Sequence, residues 1–298
     1  MGEIAALLTA VCWAGSSVLF TLSGLKVGAV VVNRTRLIFA VLWLTLTHLI
    51  VMGQLVPLTA TIDRWFWLGL SGVVGLVIGD AFLFQAYVMI GARISTLIMA
   101  IVPVISALFA WTLLGETLTL FEMAGIALVV GGIAWVVLER SNGNEMARDR
   151  RHYLIGVLCA VGAAIGQALG LVLSKKGLEG NFPALSGVQI RMLAAAGSLW
   201  LVTLITGQAG PTIRQLRQKS DAIKTILGGS IIGPFLGVWL SLVAIQTAFV
   251  GIASTLMALT PVVMLPVSHW VFKEKISWQA VLGTGVAMGG VTLLFLIK

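Results

Sequence analysis

The sequence contains one pattern twice, at a constant spacing of 158 residues. Without any gap, this spacing matches a methionine, a proline, a glutamate and five glycines in the first half with the same residue types in the second. The pairs are Gly75 and Gly233, Gly79 and Gly237, Met99 and Met257, Pro103 and Pro261, Glu116 and Glu274, Gly125 and Gly283, Gly131 and Gly289, and Gly132 and Gly290. Eight identities at a single spacing predict two copies of one structural unit.

The composition indicates that both copies lie in a membrane. Apolar residues make up 59% and charged residues 10% of the 298 residues, whereas soluble domains carry about 25% charged residues. One core cannot bury so much apolar surface, so lipid must be the solvent. The net charge of +8 then reflects basic residues in short loops beside the bilayer and not a nucleic-acid surface. Cys12 and Cys159 match no metal or redox spacing, so we expect no cofactor.

Apolar windows long enough to cross about 30 Å of hydrocarbon recur along the chain. They lie near 4–23, 30–52, 65–88, 93–113, 120–138, 153–173, 184–206, 223–246, 250–271 and 278–297. The hydrophilic break at 139–152 lies between the two copies and is predicted to be a linker. The sequence therefore predicts an all-α membrane protein of ten transmembrane helices, with one five-helix repeat at 1–138 and a second at 153–298.

The number of windows in each copy predicts how the copies are related. Because five is odd, the second copy must enter the membrane from the opposite side to the first. We therefore expect two inverted five-helix repeats, related by a pseudo-two-fold axis in the membrane plane. Such pairs form secondary transporters whose binding site lies near mid-membrane, where the repeats meet.

The repeated motif resembles that of a known family. STLIMA, then Pro103 and Gly115-Glu116, is repeated as STLMAL, then Pro261 and Lys273-Glu274. This pattern in ten spans resembles the EamA-type branch of the drug/metabolite transporter superfamily, over essentially the whole chain. The resemblance implies a permease or exporter of small metabolites with a central cavity between two five-helix halves. It does not identify the substrate, and the lysine at 273 departs from the commoner glycine.

The distribution of loop charges leaves the orientation open. Lysine and arginine are concentrated in the predicted loops on the face opposite the N-terminus. The positive-inside rule then places both termini outside the cytoplasm. Members of the family that the chain resembles generally have cytoplasmic termini. The charge distribution and the family resemblance therefore predict opposite orientations. We expect a multi-pass protein of the bacterial inner membrane in either case.

Two opposite charges lie at compatible depths inside predicted spans. Asp80 is the acid that lies well within a window, and Arg36 lies in the preceding one. A charged side chain at the centre of a membrane helix costs roughly 2.5 kcal/mol or more. One interpretation is an ion pair that makes both charges tolerable. The other is that Asp80 is protonated in turn and couples transport to a proton gradient.

A second buried arginine lacks a matching acid. Arg191 is the repeat counterpart of Arg36, but Val238 stands where the first repeat has Asp80. The guanidinium fork matches a carboxylate or phosphate, so Arg191 is a candidate for binding an anionic substrate group. Gln167 lies at similar depth and is a candidate neighbour. The alternative is that Arg191 bonds only to backbone carbonyls and Gln167.

Further polar and aromatic residues are predicted to line the cavity. The candidates near the starts of the fourth and ninth windows are Ser95, Thr96, Met99, Ser254, Thr255 and Met257. Pro103 and Pro261 each remove a backbone donor and should kink their helices. Trp13, Tyr87 and Trp239 are candidates for stacking on a ligand. Alternatively, the hydroxyls cap helices and the methionines fill gaps.

Glu116 and Glu274 lie in the turns after the fourth and ninth windows. Each glutamate either latches a gate by pairing with loop cations or caps the helix that follows. The cap is favoured, because acids stabilise helix N-termini.

The leading interpretation is a secondary transporter that moves a small metabolite, an amino acid or organic anion, by alternating access. The alternatives are efflux of apolar or cationic compounds and a subunit of a lipid flippase. An enzyme is not expected, because the chain has no H-E-x-x-H pattern, serine elbow or phosphate loop. The expected partners are a small-molecule substrate and membrane lipid, without nucleic acid, for a monomer or homodimer.

Overall fold

The structure is a computed structural model that describes residues 1–140, 150–264, 266 and 278–296. Within these ranges the secondary structure is helical and contains no strand. The helices are α1 Gly2–Val27, α2 Ala29–Met52, α3 Ile62–Ala92, α4 Ile94–Leu114, α5 Leu120–Arg140, α6 Arg150–Gly177, α7 Ala184–Ile205, α8 Ala209–Gln218, α9 Ser220–Thr247, α10 Val250–Met264 and α11 Trp278–Leu296. Glu274 lies outside the described residues, as does most of the predicted linker.

Seven of these described helices are long and apolar enough to cross a membrane, namely α1, α2, α3, α4, α6, α7 and α9. Three shorter apolar stretches, Leu120–Gly132, Val250–Met264 and Val281–Leu293, lie in α5, α10 and α11. The all-helical class is confirmed for the described residues, while ten crossings stay a prediction. The sequence did not predict α8, which has ten residues and joins α7 to α9.

The duplication is visible in an uncommon helical feature. Helix α3 contains a π-helical segment at Val73–Gly79, and α9 contains one at Ile231–Gly237. The two segments are separated by the repeat spacing of 158 residues. A π turn widens the helix and occurs frequently at functional sites. The two-repeat organisation predicted from the sequence therefore has a structural counterpart.

Helices of one half pack against their counterparts in the other. Helix α2 packs against α7, α4 against α10 and α5 against α11, while α1 packs on α9 and α6 on α3. Glycine permits the closest of these contacts. A Cβ on Gly132 would lie 2.5 Å from the backbone nitrogen of Ala287, and one on Gly290 would lie 2.8 Å from the carbonyl oxygen of Gly125. This reciprocal packing is what two units related by a two-fold axis require.

Breaks in helical regularity lie immediately before both repeated prolines. In α4, a 3₁₀ turn at Met99–Ile101 precedes a regular helix that has Pro103 at its start. In α10, the first helical segment ends at Met257, and helix resumes at 260, just before Pro261. A proline has no backbone N–H to donate to the preceding turn, so the turn before it is free to tighten. The kinks predicted at both prolines therefore coincide with interruptions of regular α-helix.

Candidate functional site

A cavity of about 110 Å³ lies between the two halves, and we call it the chamber. Its wall contains residues of α1, α2, α3 and α4 from the first half and of α6, α7, α9 and α10 from the second. Six pairs in the wall follow the repeat spacing: Leu76 and Pro234, Asp80 and Val238, Leu83 and Ser241, Thr96 and Ser254, Met99 and Met257, and Val102 and Thr260. The chamber is therefore built from equivalent positions of both copies.

Arg36 is a buried side chain whose charge is fully compensated. It is 3% exposed and forms an ion pair with Asp80. Its Nε donates to Oδ1 of Asn33 at 3.0 Å, and its Nη2 donates to the carbonyl oxygen of Leu76 at 3.1 Å. Its Cζ lies 4.9 Å from the ring centroid of Phe84. These contacts engage Nε and Nη2 of Arg36 and supply its counter-charge within the protein.

Arg191 is buried just as deeply but lacks such partners. It is 2% exposed, and its Nε and Nη1 form no hydrogen bond with any described residue. Its Nη2 lies against Gly75, where a Cβ would approach to 3.3 Å. Its backbone carbonyl lies against Gly72, which leaves no room there for a side chain. Buried donors without partners are rare because they carry the full cost of desolvation, so a group that lines a cavity in this condition is a candidate ligand-binding group.

Two further polar side chains line the chamber with unused hydrogen-bonding capacity. Gln167 in α6 and Tyr87 in α3 form no hydrogen bond with the described part of the chain. Tyr87 also belongs to an aromatic wall, in which the ring of Phe84 lies 5.9 Å from that of Tyr87 and 5.3 Å from that of Phe20. Trp13 extends this wall on α1. The chamber therefore combines an apolar, aromatic surface with a few polar donors.

The serine and threonine hydroxyls of the chamber donate to their own helices. Ser241 donates to the carbonyl oxygen of Val238 at 2.8 Å, Ser254 to that of Gly251 at 3.1 Å, and Thr260 to that of Met257 at 2.8 Å. Each hydroxyl has one proton, so these three offer a ligand only their lone pairs. The side chains of the chamber wall with N–H or O–H groups that no described residue accepts from are then Arg191, Gln167, Tyr87 and Trp13.

Three predicted lining residues do not reach the chamber. Ser95 is fully buried and donates to Gly91, Thr255 is fully buried and donates to Gly251, and Trp239 packs on Phe235. Successive residues of a helix point about 100° apart, so their neighbours Thr96, Ser254 and Val238 occupy the chamber face instead. Pro103 is also buried behind the wall, whereas Pro261 lines it.

The other candidates do line the chamber, namely Trp13, Arg36, Asp80, Tyr87, Thr96, Met99, Gln167, Arg191, Ser254, Met257 and Pro261. The sequence reasoning missed Asn33, Phe20 and Phe84. Asn33 lies one turn before Arg36 and Phe84 one turn after Asp80, so helical spacing alone would have found both. Phe20 comes from α1, and no sequence signal links it to this site.

Glu116 connects the two halves outside the chamber. Its Oε2 accepts from the backbone N–H of Val250 at 2.8 Å, and its Oε1 lies 3.2 Å from Nζ of Lys175. Lys175 also donates to the carbonyl oxygen of Ala248 at 2.6 Å. Glu116 therefore caps α10 of the other half, and the expectation that it caps the following helix is wrong.

The following helix, α5, has a cap of its own. The carboxylate of Glu122 accepts from the backbone N–H of Thr119 at 2.7 Å, and the Thr119 hydroxyl accepts from the N–H of Glu122 at 3.3 Å. This reciprocal arrangement is a capping box. Glu116 is thereby left available for the contact between the halves.

Comparison with known families agrees with this architecture. The model of the EamA-like transporter family matches residues 1–138 and again residues 154–296. The chain belongs to the EamA-like transporter family. This EamA-like protein is therefore a multi-pass membrane transporter of the drug/metabolite transporter superfamily, as its repeated motif predicted. Proteins of this family are transporters and not enzymes.

The fold of the EamA-like protein is also similar to that of solved structures. One, described only as "Crystal structure of protein", superimposes with a TM-score of 0.71 and 18% sequence identity. The alignment covers 98% of this chain and 96% of that chain. At this identity the likeness concerns the fold alone. Comparison with curated proteins gives no significant match.

Proposed function

We propose that this EamA-like protein is a secondary transporter that moves a small carboxylate-bearing metabolite, an organic acid or an amino acid, by alternating access. Its two inverted five-helix halves, at 1–138 and 153–298 with the linker at 139–152, rock against each other in the bacterial inner membrane. The observation that carries this proposal is the chamber between the halves, lined by the buried guanidinium of Arg191, whose Nε and Nη1 have no hydrogen-bond partner among the described residues.

The chemistry of the chamber supports a carboxylate as the recognised group. The guanidinium fork of Arg191 donates two parallel hydrogen bonds to a carboxylate. Charge-assisted bonds of this kind each contribute about 1.5 to 3 kcal/mol. Gln167 and Tyr87 are the next donors along the wall, and Trp13 offers an aromatic face for the body of the substrate. Bound in this way, the substrate supplies the hydrogen-bond partner that no described residue gives to Nε and Nη1 of Arg191.

The contact at Glu116 supports a moving boundary between the halves. Glu116 belongs to the first half, whereas Lys175, Ala248 and Val250 belong to the second. Alternating access requires such contacts to break on one face of the membrane and to form on the other. We assign a latch role to these contacts of Glu116 and Lys175, which we call the Glu116 network. The network holds the chamber closed on the face that carries the turn between α4 and α5.

Replacing Glu116 by alanine should open that face. The substitution removes the cap of α10 and the partner of Lys175, which together stabilise the closed state by about 1.5 to 3 kcal/mol. The measurement is labelling of a Met257→Cys variant by a membrane-impermeant thiol reagent, with Cys12 and Cys159 replaced by alanine. We expect labelling to rise about tenfold or more.

The matched control for this experiment is Glu122→Ala. Glu122 is also a glutamate near the α4–α5 turn, but its bonds remain at the start of its own helix. Its removal should leave the labelling of the thiol introduced by Met257→Cys unchanged. Equal labelling of the Glu116→Ala variant and its parent would show that the network does not hold the chamber closed.

The proposed function is tested by thermal unfolding of the purified full chain across a library of metabolites. A ligand that binds only the folded protein stabilises it by about 2.7 kcal/mol at one hundred times its Kd. Carboxylates should raise the unfolding temperature, and their hits should then be exchanged across proteoliposome membranes. Stabilisation by cationic or uncharged compounds alone would reject carboxylate transport and favour efflux of those compounds.

A further inference from the structure

We infer that Asp80 is a built-in counter-anion, so that the chamber carries a single uncompensated positive charge and selects organic monoanions over dianions and zwitterions. This inference rests on the proposed function and narrows it: of the organic acids and amino acids proposed there, the site favours organic monoanions and disfavours zwitterionic amino acids. The two repeat-related arginines would offer room for two anionic groups. Asp80 permanently occupies one of them, and the substrate occupies the other.

The two arginines meet at one short segment of α3. Nη2 of Arg36 donates to the carbonyl oxygen of Leu76 at 3.1 Å, whereas Nη2 of Arg191 lies against the adjacent Gly75. Both positions belong to the π-helical segment Val73–Gly79, and Asp80 follows it directly. All three charged side chains line the same chamber. The three charged groups therefore act as one electrostatic unit.

The charges of this unit do not balance. Arg36, Asp80 and Arg191 are the charged residues among the described residues of the chamber wall. Two guanidinium groups and one carboxylate give a net charge of +1. Coulomb energies are several times larger in such a buried site than in water, so the charge of a ligand weighs heavily in its binding. A monoanion neutralises the chamber, and a dianion leaves it with an unpaired negative charge.

A zwitterion fits the chamber less well than a monoanion. Its carboxylate could bind Arg191, but its ammonium group needs a carboxylate as well. Asp80 forms its ion pair with Arg36, which is held by Asn33, Leu76 and Phe84. The ammonium group would therefore add a positive charge to a wall that is already positive.

The asymmetry of the repeat supports the role of Asp80 as a substitute for a ligand. Asp80 and Val238 occupy equivalent positions, each directly after a π-helical segment and each in the wall of the chamber. In the first half the arginine finds its anion within the protein. In the second half the equivalent position is apolar, and Arg191 forms no ion pair with a described residue. The missing carboxylate is the one that a substrate brings.

The test is a series of variants in which the net charge of the chamber changes by one step. The probes are phenylacetate, phenylsuccinate and phenylalanine, which share an aromatic body and carry one negative charge, two negative charges and no net charge at neutral pH. Binding to the purified full chain is measured by calorimetry. The wild-type protein should bind phenylacetate at least about tenfold more tightly than either of the other two probes.

Asp80→Asn raises the net charge to +2 and should shift the preference toward phenylsuccinate by about tenfold or more. The matched control, Arg36→Gln with Asp80→Asn, restores +1 and should keep the preference for phenylacetate. Val238→Asp lowers the net charge to zero and should abolish binding of phenylacetate, whereas Val238→Asn should keep it. If Asp80→Asn does not fold, the comparison of Val238→Asp with Val238→Asn is sufficient to show whether binding follows the net charge of the chamber.

The outcomes separate the two proposals. If the wild-type protein binds carboxylates but the preference does not follow the charge of the chamber, the role of Asp80 is refuted while carboxylate transport stands. If folded wild-type protein binds no carboxylate in this series or in the metabolite library, the proposed function itself fails. Equal binding of phenylacetate by Val238→Asp and Val238→Asn would also overturn the inference.

Discussion

Replacement of Arg191 by methionine should weaken the binding of a carboxylate substrate by about 100-fold. This factor corresponds to about 2.7 kcal/mol, which is within the contribution of a bidentate, charge-assisted pair. Methionine is unbranched, flexible and apolar, so it occupies most of the space of the arginine stem in the wall. The measurement is the Kd of phenylacetate for the purified variant, together with exchange of labelled phenylacetate in proteoliposomes.

The same substitution should not weaken the fold. The donors of Arg191 that lack partners already cost free energy in the ligand-free protein, and their removal relieves this cost. We therefore expect Arg191→Met to unfold at the temperature of the wild-type protein or above it. Loss of binding together with an intact fold distinguishes a binding residue from a structural one.

Two controls complete this prediction. Arg191→Lys keeps the charge but not the planar fork, so its affinity should lie between those of the wild-type protein and Arg191→Met. Arg217→Met removes a guanidinium from the exposed surface of α8 and should leave the Kd unchanged. Wild-type affinity in Arg191→Met would place the carboxylate site elsewhere.

Replacement of Asp80 by leucine should destabilise the protein by about 3 to 5 kcal/mol, because it leaves the buried Arg36 without its counter-charge. Arg36 is only 3% exposed, so little of its charge is solvated. The measurement is the free energy of unfolding in detergent micelles, obtained from denaturant titration.

The stability lost in Asp80→Leu should be recovered when the charge of Arg36 is removed as well. Arg36→Met with Asp80→Leu replaces a buried ion pair by apolar side chains and should recover most of the lost stability. Asp63→Leu is the matched control, since Asp63 is an exposed acid whose one side-chain partner among the described residues is Trp67. Asp63→Leu should change stability by less than about 1 kcal/mol. A stable Asp80→Leu variant would mean that Asn33, Leu76 and Phe84 suffice to hold the charge of Arg36.

Features that depend on residue identity and on the depth of a residue within its predicted membrane span were predictable from the sequence. The repeat spacing anticipated the paired walls of the chamber. The depths of Arg36 and Asp80 anticipated their contact, and the valine at 238 anticipated an arginine without an acid. For the two arginines and Asp80, the cost of an unpaired charge in lipid limits the possible arrangements to very few.

Features that depend on helix rotation or on distant contacts were not predictable. Trp239 lies just after the π-helical segment Ile231–Gly237. An extra residue in a turn rotates the following side chains by about 100° relative to a regular helix. A regular spacing therefore assigns Trp239 to the wrong face. The partner of Glu116 lies in the other half, and no local pattern near Glu116 points to Val250.

The crosswise packing of the halves limits what a single repeat can do. Helix α1 packs on α9 and α6 packs on α3, so the first helix of each half packs against the third membrane-spanning helix of the other half. One repeat in isolation would leave the charged groups at mid-membrane facing lipid. Enclosure of the solute is thus a property that neither repeat possesses and that arises only when both are joined, and a chain cut in its linker must reassemble before it can carry anything.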